Sequence, residues 1–452
     1  MSTIHTKSLK SRAIRAGFWT IFGHGSGQFI RLATNLLMTR LLVPEMFGVM
    51  AIVTVIMIGL VMFSDLGLRQ NIIQSKRGDD PVFLDTAWTV QAIIGIALWL
   101  LSIVVALLFY AAGRFEIIPA GTVYSHPILP WVIPVSVLAV LIRSFEPTWT
   151  ATASRRLDQS RITMIEIASQ LFSVLVMVVW ALFDRSIWAL VAGGVSASMA
   201  RSFIVWVLIP GPRNHWMIDR TAMHEIFHFG KWLFWSSILT FLFFNGDRLL
   251  LGGLISTHEL GIYTIAFFIV SAVSQGINGL LQNVAFPALS ETVRNNKRAL
   301  IHVYYRFRLP LDAGVLLLAG FMFSSGSVII QILYDQRYYE AGIMIEVLSL
   351  ILIATRYSLT EQCFMAIGKP KIMSVLTGLR TMVLFVSVPL AFDWFGLTGA
   401  LWAIVFSYFS SFPFTIYAKY RYGLLDKGKE LITLPLFVVG MLSGYGLNSI
   451  FY

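Results

Sequence analysis

Residues 92–112 read AIIGIALWLLSIVVALLFYAA, an apolar stretch without a charged residue. A helix rises about 1.5 Å per residue, so a helix of this length crosses a hydrocarbon core roughly 30 Å thick. The stretch therefore predicts a transmembrane helix. Similar runs fill the chain, and thirteen spans are predicted at residues 13–41, 46–68, 82–112, 127–149, 162–183, 186–209, 226–252, 258–286, 305–333, 340–366, 370–392, 395–417 and 431–450. The short gaps between them leave no room for a soluble domain.

The composition agrees with lipid as the solvent. The 452 residues are 57% hydrophobic and 13% charged, with a mean hydropathy of +0.76, whereas soluble domains carry roughly 25% charged residues. The net charge of +11 lies in the gaps between runs, which argues against nucleic acid as a partner. Cys363 is the only cysteine, so an intramolecular disulfide and a cysteine-rich metal site are excluded. No metal and no cofactor are expected.

The positions of the basic residues predict the topology. Most of the 34 Lys and Arg residues precede the first run or follow the even-numbered runs. The intervening gaps hold only Arg114, Arg185 and Arg337. Because cytoplasmic segments are enriched in Lys and Arg, the N-terminus is predicted to be cytoplasmic, with the first run an uncleaved helix. A multi-pass membrane location is expected.

An internal repeat divides the chain. Gly17-Phe18-Trp19 and Gly230-Lys231-Trp232 open the first and seventh runs, and Phe47-Gly48 and Leu260-Gly261 follow at the same spacing. The offset is 213 residues in both cases, and six helices per half give both halves the same orientation. The sequence therefore predicts an all-α membrane protein with two six-helix lobes related by a pseudo-two-fold axis along the membrane normal. The lobes are predicted at 1–209 and 210–418, with one additional helix at 419–452.

Several arginines fall inside the predicted spans. At the bilayer centre each costs about 2.5–3.5 kcal/mol if it faces lipid, so these residues are expected to face a watery interior or to pair with acids. Arg143 and Glu146, three residues apart, suit a pair along one helix face. The candidate substrate-binding arginines are Arg31, Arg143, Arg201, Arg248, Arg356 and Arg380. Four acids inside the spans are candidates for coupling substrate movement to an ion, namely Asp65, Glu146, Asp247 and Glu361.

Polar stripes mark the faces expected to line a cavity. Gln28, Arg31 and Asn35 lie at i, i+3 and i+7 of the first run, which places them on one helix face. The eighth run repeats this spacing with Gln275, Asn278 and Gln282, and the seventh carries Asn245 and Arg248. Hydrogen bonding between helices is the structural alternative. An excess of cations over acids suits an anionic substrate, since Arg recognises phosphate with two parallel hydrogen bonds.

Two short motifs resemble known chemical sites. His224-Glu225-Ile226-Phe227-His228 matches H-E-x-x-H, a zinc-protease pattern. It precedes a membrane run and lacks a third ligand, so an interfacial helix is expected instead. The glycine-rich segment Gly23–Gly27 follows no strand, so close packing or bending is expected there instead of nucleotide binding.

Short motifs in both halves resemble a known transporter family. Residues 40–48, RLLVPEMFG, resemble the "RLLxPxxFG" signature of Wzx-type polysaccharide flippases. Residues 64–68 (SDLGL), 245–248 (NGDR), 260–263 (LGIY) and 286–290 (FPALS) fit the same family in order and spacing. This resemblance, to the multidrug/oligosaccharidyl-lipid/polysaccharide superfamily, spans nearly the whole chain. Its members usually have twelve or fourteen helices, so thirteen runs is a departure.

The resemblance implies a function. It implies a non-enzymatic flippase with a central cavity that moves undecaprenyl-diphosphate-linked oligosaccharide across the inner membrane by alternating access. Membrane lipid, a polysaccharide polymerase and a co-polymerase are the further partners expected. The first two helices of each lobe line the family's cavity, which favours Arg31, Asp65 and Arg248. A drug/cation antiporter and a peptidoglycan-precursor flippase of the same superfamily remain alternatives, with a membrane-embedded polymerase or protease more remote.

Overall fold

The computed structural model describes residues 9–64, 68–75, 77–155, 159–208 and 214–451, in which all regular secondary structure is helical, with no strand. The helices of the first half are α1 (Leu9–Leu41), α2 (Pro44–Ser64), α3 (Leu68–Gln74), α4 (Pro81–Arg114), α5 (Leu129–Ser144), α6 (Trp149–Arg155), α7 (Gln159–Phe183) and α8 (Trp188–Leu208). Those of the second half are α9 (Arg220–Gly252), α10 (Thr257–Leu280), α11 (Phe286–Asn295), α12 (Leu300–Leu333), α13 (Ala341–Leu348), α14 (Ile351–Thr355), α15 (Ser358–Ala366), α16 (Pro370–Phe409), α17 (Phe412–Arg421), α18 (Lys427–Leu431) and α19 (Pro435–Phe451).

The prediction of an all-α polytopic membrane protein is confirmed. Within the described residues, nine helical segments are long and apolar enough to cross a bilayer. They are Pro44–Met62, Pro81–Arg114, Gln159–Phe183, Trp188–Val207, Thr257–Asn295, Lys297–Leu333, Ala341–Ala366, Pro370–Arg421 and Lys427–Ser449. Pro370–Arg421 holds two predicted runs, which meet at a kink where Gly396 has a φ of 62°. The predicted pseudo-symmetry of the lobes stays a prediction.

Local sequence explains where two of the helices begin. The side chain of Asp80 accepts a hydrogen bond from the Val82 amide, and Pro81 occupies the first turn of α4. Ser256 caps α10 in the same way, since its hydroxyl accepts from the Glu259 amide while the Glu259 carboxylate accepts from the Ser256 amide. These caps satisfy main-chain donors that a helix start leaves without partners.

Two compact units divide the chain by their contacts. The first comprises Met1–Leu42, Val53–Ala120 and Tyr124–Ile238, and the second comprises Val43–Ile52, Gly121–Val123 and Leu239–Tyr452. In the first unit α5 packs against α4 and α8, and α7 packs against α1 and α8. In the second unit α12 packs most extensively against α19, the helix of the thirteenth run.

Small residues bring α12 and α19 together. A Cβ added to Gly320 would lie 2.1 Å from the carbonyl oxygen of Phe437, and one added to Gly440 would lie 2.3 Å from that of Leu317. The Asn448 side chain also donates to the Ser324 carbonyl at 2.7 Å. Glycine therefore lets the two backbones touch, as in other membrane helix pairs.

The repeated glycines of the two halves meet within the second unit. A Cβ on Gly48 of α2 would lie 2.0 Å from the Thr257 carbonyl oxygen, and one on Gly261 of α10 would lie 1.9 Å from the Pro44 carbonyl oxygen. Both the glycines and the carbonyls are related by the 213-residue offset of the sequence repeat. The contact is reciprocal, so it forms a local two-fold arrangement of the two helix starts.

Candidate functional site

The polar stripe of α1 leaves one arginine exposed. Arg31 is exposed, and its Nε donates to the Gly27 carbonyl at 3.3 Å. No ion pair of Arg31 is present among the described residues. Gln28 and Asn35 are half-buried on the same helix face. Within the described part of the chain, the helix thus presents a guanidinium without a carboxylate partner in a segment predicted to span the membrane.

Arg248 of α9 lies in an aromatic and acidic setting. Its guanidinium carbon is 4.3 Å from the centre of the Phe267 ring, and its Nη1 lies 3.8 Å from Asp247 Oδ1. The other Asp247 oxygen accepts a hydrogen bond from the Tyr263 hydroxyl. The Arg248 side chain is 17% exposed. It is therefore held in place but can still meet a ligand from one side.

The remaining stripe residues lie on α9, on α10 and just beyond α10. Asn245 is buried and donates to a main-chain carbonyl of its own helix. Gln275 and Gln282 are exposed, and Asn278 is half-buried. Gln282 lies in a π-helical turn, Leu281–Ala285, which continues α10 into α11. Such turns redirect side chains and occur frequently at functional sites.

Three predicted residues of the first unit come together in one polar pocket. Arg201 Nε donates to both carboxylate oxygens of Glu146, at 3.0 and 3.1 Å. Its Nη1 lies 3.2 Å from Glu166, and Arg143 is 3.9 Å from Glu146. The pocket has a volume of about 210 Å³ and is lined by Ile72, Gln91, Arg143, Glu146, Thr148, Thr150, Ala151, Ile162 and Arg201.

Glu146 pairs more closely with Arg201 than with Arg143, the partner expected from the sequence. The one-face pair with Arg143 is present but long, whereas the shorter contact comes from Arg201, 55 residues along the chain. Helix spacing alone predicts only Arg143, which lies three residues from Glu146 in the sequence. Packing of α5 against α8 supplies the stronger one.

Replacement of Glu146 is expected to destabilise the first unit. Glu146→Ala leaves Arg201, whose side chain is 13% exposed, without the carboxylate that accepts from its Nε, and breaking a buried pair costs about 3 kcal/mol. The thermal unfolding of the purified protein in detergent measures the effect. Glu166→Ala is the matched control, because it removes the other acid of Arg201 but lies 49% exposed, and should cost under about 1 kcal/mol. Equal losses in the two variants would contradict this account.

Arg380 and Glu361 form a second ion pair between predicted site residues. Arg380 Nη2 lies 2.9 Å from Glu361 Oε1, and its Nε donates to Ser411 Oγ at 2.6 Å. The guanidinium also lies 5.8 Å from the centre of the Phe243 ring. The coupling candidate and the arginine therefore neutralise each other in this arrangement.

Arg356 belongs to a buried charge cluster that the sequence analysis did not predict. Its Nη2 lies 2.6 Å from Asp312, which also lies 3.2 Å from Arg308. Arg308 contacts Glu430 at 2.8 Å, and Lys419 pairs with Glu430 as well. The signal in the sequence was the i, i+4 spacing of Arg308 and Asp312 within an apolar run.

Two further features of the sequence analysis are Asp65 and the H-E-x-x-H segment. Asp65 lies outside the described residues. Within the H-E-x-x-H segment, Glu225 accepts a hydrogen bond from Ser75 at 2.7 Å, and Ile226 packs in a core with Phe83. No group of His, Cys, Asp and Glu able to hold a metal occurs in the described part of the chain. The segment is the first part of α9, which packs against Ser75 and Phe83.

Comparison with known proteins identifies the family of this chain. The family described as "Polysaccharide biosynthesis protein" matches residues 37–342. Lipopolysaccharide biosynthesis protein WzxC of Escherichia coli (strain K12) is 23% identical over 309 residues, 66% of this chain and 58% of that protein. The matches to four curated relatives cover between 36% and 64% of those proteins' lengths.

Solved structures show the same fold. The lipid II flippase MurJ in an inward closed conformation has a TM-score of 0.68 at 11% identity, over 97% of this chain and 93% of that chain. An inward-facing multidrug resistance MATE family transporter has a TM-score of 0.66 at 14% identity, over 87% and 94%. The fold is that of MurJ and the MATE transporters of the MOP superfamily, and the chain belongs to the polysaccharide biosynthesis protein family.

Proposed function

We propose that this chain is a flippase for undecaprenyl-diphosphate-linked oligosaccharide repeat units. It moves them across the bacterial inner membrane by alternating access, for the synthesis of a surface polysaccharide. Family membership supports a role in polysaccharide biosynthesis, and the fold supports transport. An inner-membrane location with a cytoplasmic N-terminus belongs to the same proposal, as do membrane lipid, a polymerase and a co-polymerase as partners.

The main support for the proposal is that Arg31 is exposed and has no ion pair within the described residues. Among the six candidate arginines, Arg201, Arg356 and Arg380 have carboxylate contacts of 3.2 Å or less. An unneutralised guanidinium in a membrane helix is costly unless an anion joins it. A diphosphate is such an anion, and Arg matches its oxygens geometrically.

Arg248 is proposed as the corresponding cation of the second unit. Stacking on Phe267 orients it, and stacking is a contact that Arg makes better than Lys. The neighbouring Asp247 contact is long at 3.8 Å, so the guanidinium keeps donors for a ligand. Asp65, Glu146, Asp247 and Glu361 remain proposed coupling residues. The polar amides Gln28, Asn35, Asn245, Gln275, Asn278 and Gln282 are proposed to meet the sugar.

A complementation experiment tests this function. Deletion of the gene is expected to abolish one surface polysaccharide, and the wild-type gene is expected to restore it. Arg31→Ala should restore at most about one tenth of the wild-type amount at equal expression, since hydrogen bonds to charged groups contribute about 1.5–3 kcal/mol. Arg31→Lys should recover part of the loss because it keeps the charge but not the bidentate geometry.

Arg114→Ala is the control for this series, because Arg114 is an exposed arginine at the end of α4. It should restore the wild-type amount. Normal polysaccharide in Arg31→Ala would refute the role of Arg31. Altered drug sensitivity with unchanged polysaccharide in the deletion strain would instead favour a drug/cation antiporter.

A further inference from the structure

Lys419 of α17 is a fully buried amine. Its side chain has 0% exposure, and its Nζ pairs with Glu430. The Nζ also lies 5.0 Å from the centre of the Tyr304 ring, 5.6 Å from that of Tyr305 and 5.8 Å from that of Tyr357. A lysine held by one carboxylate and three aromatic rings is rare, because burial of an ammonium is costly unless it is paired.

The charges of the cluster do not balance when Lys419 is protonated. Arg308, Arg356 and Lys419 supply three positive charges, whereas Asp312 and Glu430 supply two negative charges. Arginine stays protonated in proteins, but a buried lysine can lose its proton. Loss of one proton from Lys419 leaves two cations and two anions. The cluster therefore carries one exchangeable proton in excess of neutrality.

Other groups face Lys419 from each element packed against it. From α12 these are Tyr304, Tyr305, Arg308 and Asp312; from the α14–α15 region Tyr357 and Cys363; and from α18 Glu430. Arg356 joins the cluster through Asp312, and Lys429 lies beside the Tyr305 ring and pairs with Asp426. Tyr305 donates to Glu430 at 2.7 Å, and the Tyr304 hydroxyl lies 2.8 Å from Thr360 Oγ1. A tyrosine hydroxyl is the competing group that would balance the charge by losing a proton.

Glu430 gives the cluster a connection to solvent. Its side chain is 12% exposed, whereas Lys419 and Asp312 have none. The adjacent Lys429 is 45% exposed and pairs with Asp426 in the segment that precedes α19. A proton that leaves Lys419 therefore has a carboxylate in direct contact that reaches the surface. The same carboxylate ties α18 to α12 through Arg308.

We propose that Lys419 is a proton-binding site that couples transport to proton movement. This inference rests on the proposed transport function, to which it adds the coupling ion. Protonated Lys419 holds Glu430 and with it α18. Neutral Lys419 releases one of the two cationic contacts of Glu430, which loosens the segment that begins the last helix. The proton returns through Glu430 when the ammonium forms again.

Amide hydrogen exchange over residues 424–434 tests the proton site without any substrate. The purified protein in lipid nanodiscs is compared with Lys419→Arg, whose charge does not titrate, at matched values between about pH 6 and pH 9, a range in which buried lysines can lose their protons. The two should exchange equally at the low end. At the high end the wild type should exchange about tenfold faster than Lys419→Arg, as expected for the loss of one charged hydrogen bond. Lys429→Arg, an exposed lysine of the same segment, should follow the wild type.

A second variant separates proton binding from simple packing. Lys419→Met should show the fast exchange at both ends of the pH range. If Lys419→Met does not fold, the comparison with Lys419→Arg decides alone. Identical pH profiles for the wild type and Lys419→Arg would overturn the proposal and would point to a tyrosine or to a static cluster. Loss of polysaccharide on gene deletion tests the proposed transport function separately, so the two failures are distinguishable.

Discussion

Asp312→Ala is expected to prevent accumulation of folded protein. Asp312 has no exposure and lies 2.6 Å from Arg356 and 3.2 Å from Arg308. The replacement leaves one guanidinium fully buried and the other nearly so, without the carboxylate between them, and breaking such a pair costs about 3–5 kcal/mol. That is a large share of the stability of a typical protein. Fluorescence-detected size exclusion of the detergent extract measures the folded yield.

Two companion variants make the Asp312 prediction specific. Asp335→Ala removes an acid from an exposed pair with Arg337 and should cost under about 1 kcal/mol. Asp312→Ala combined with Arg356→Met should recover part of the folded yield, because it removes one stranded cation and leaves Arg308 its contact with Glu430. A wild-type yield in Asp312→Ala would show that the cluster does not hold the second unit together.

Gly261→Val is expected to have the other large effect. The first carbon of any side chain at this position meets the Pro44 carbonyl oxygen at 1.9 Å, and that atom belongs to the backbone of α2. A flexible side chain cannot absorb the clash, so α2 and α10 must separate. Overpacking of this kind costs about 1–3 kcal/mol or more, and valine adds two methyl groups to it. Thermal unfolding and folded yield are the measurements.

The same helix provides a matched control for Gly261→Val. Gly279 also lies within α10, but a Cβ there meets no atom within 4 Å. Gly279→Ala should be neutral or more stable by up to about 1 kcal/mol, because alanine favours helix over glycine. Gly48→Ala should resemble Gly261→Val in direction, since its Cβ meets the Thr257 carbonyl at 2.0 Å. Tolerance of both substitutions would mean that the crossing is not close-packed.

The candidate site was predictable in part. Charge and depth in the sequence point to Glu146, Arg143 and Arg201, and these residues line one pocket in the structure. The sequence predicts Arg380 as a binding residue and Glu361 as a coupling residue, and in the structure the two form a single ion pair. Their partnership was not predictable, because the acid and the base lie on different helices and the i, i+4 rule reaches only along one helix.

Hydrophobic length by itself determined that this chain is a helical membrane protein, because a backbone in lipid must satisfy its own hydrogen bonds. The sequence alone also marked Gly48 and Gly261 as equivalent positions. Only the tertiary structure decided that these glycines touch, and that Arg356, Arg308 and Lys419 share two carboxylates. Glu430 and Arg308 are separated by 122 residues. Contacts over that distance depend on which helices pack together, and no local pattern encodes that choice.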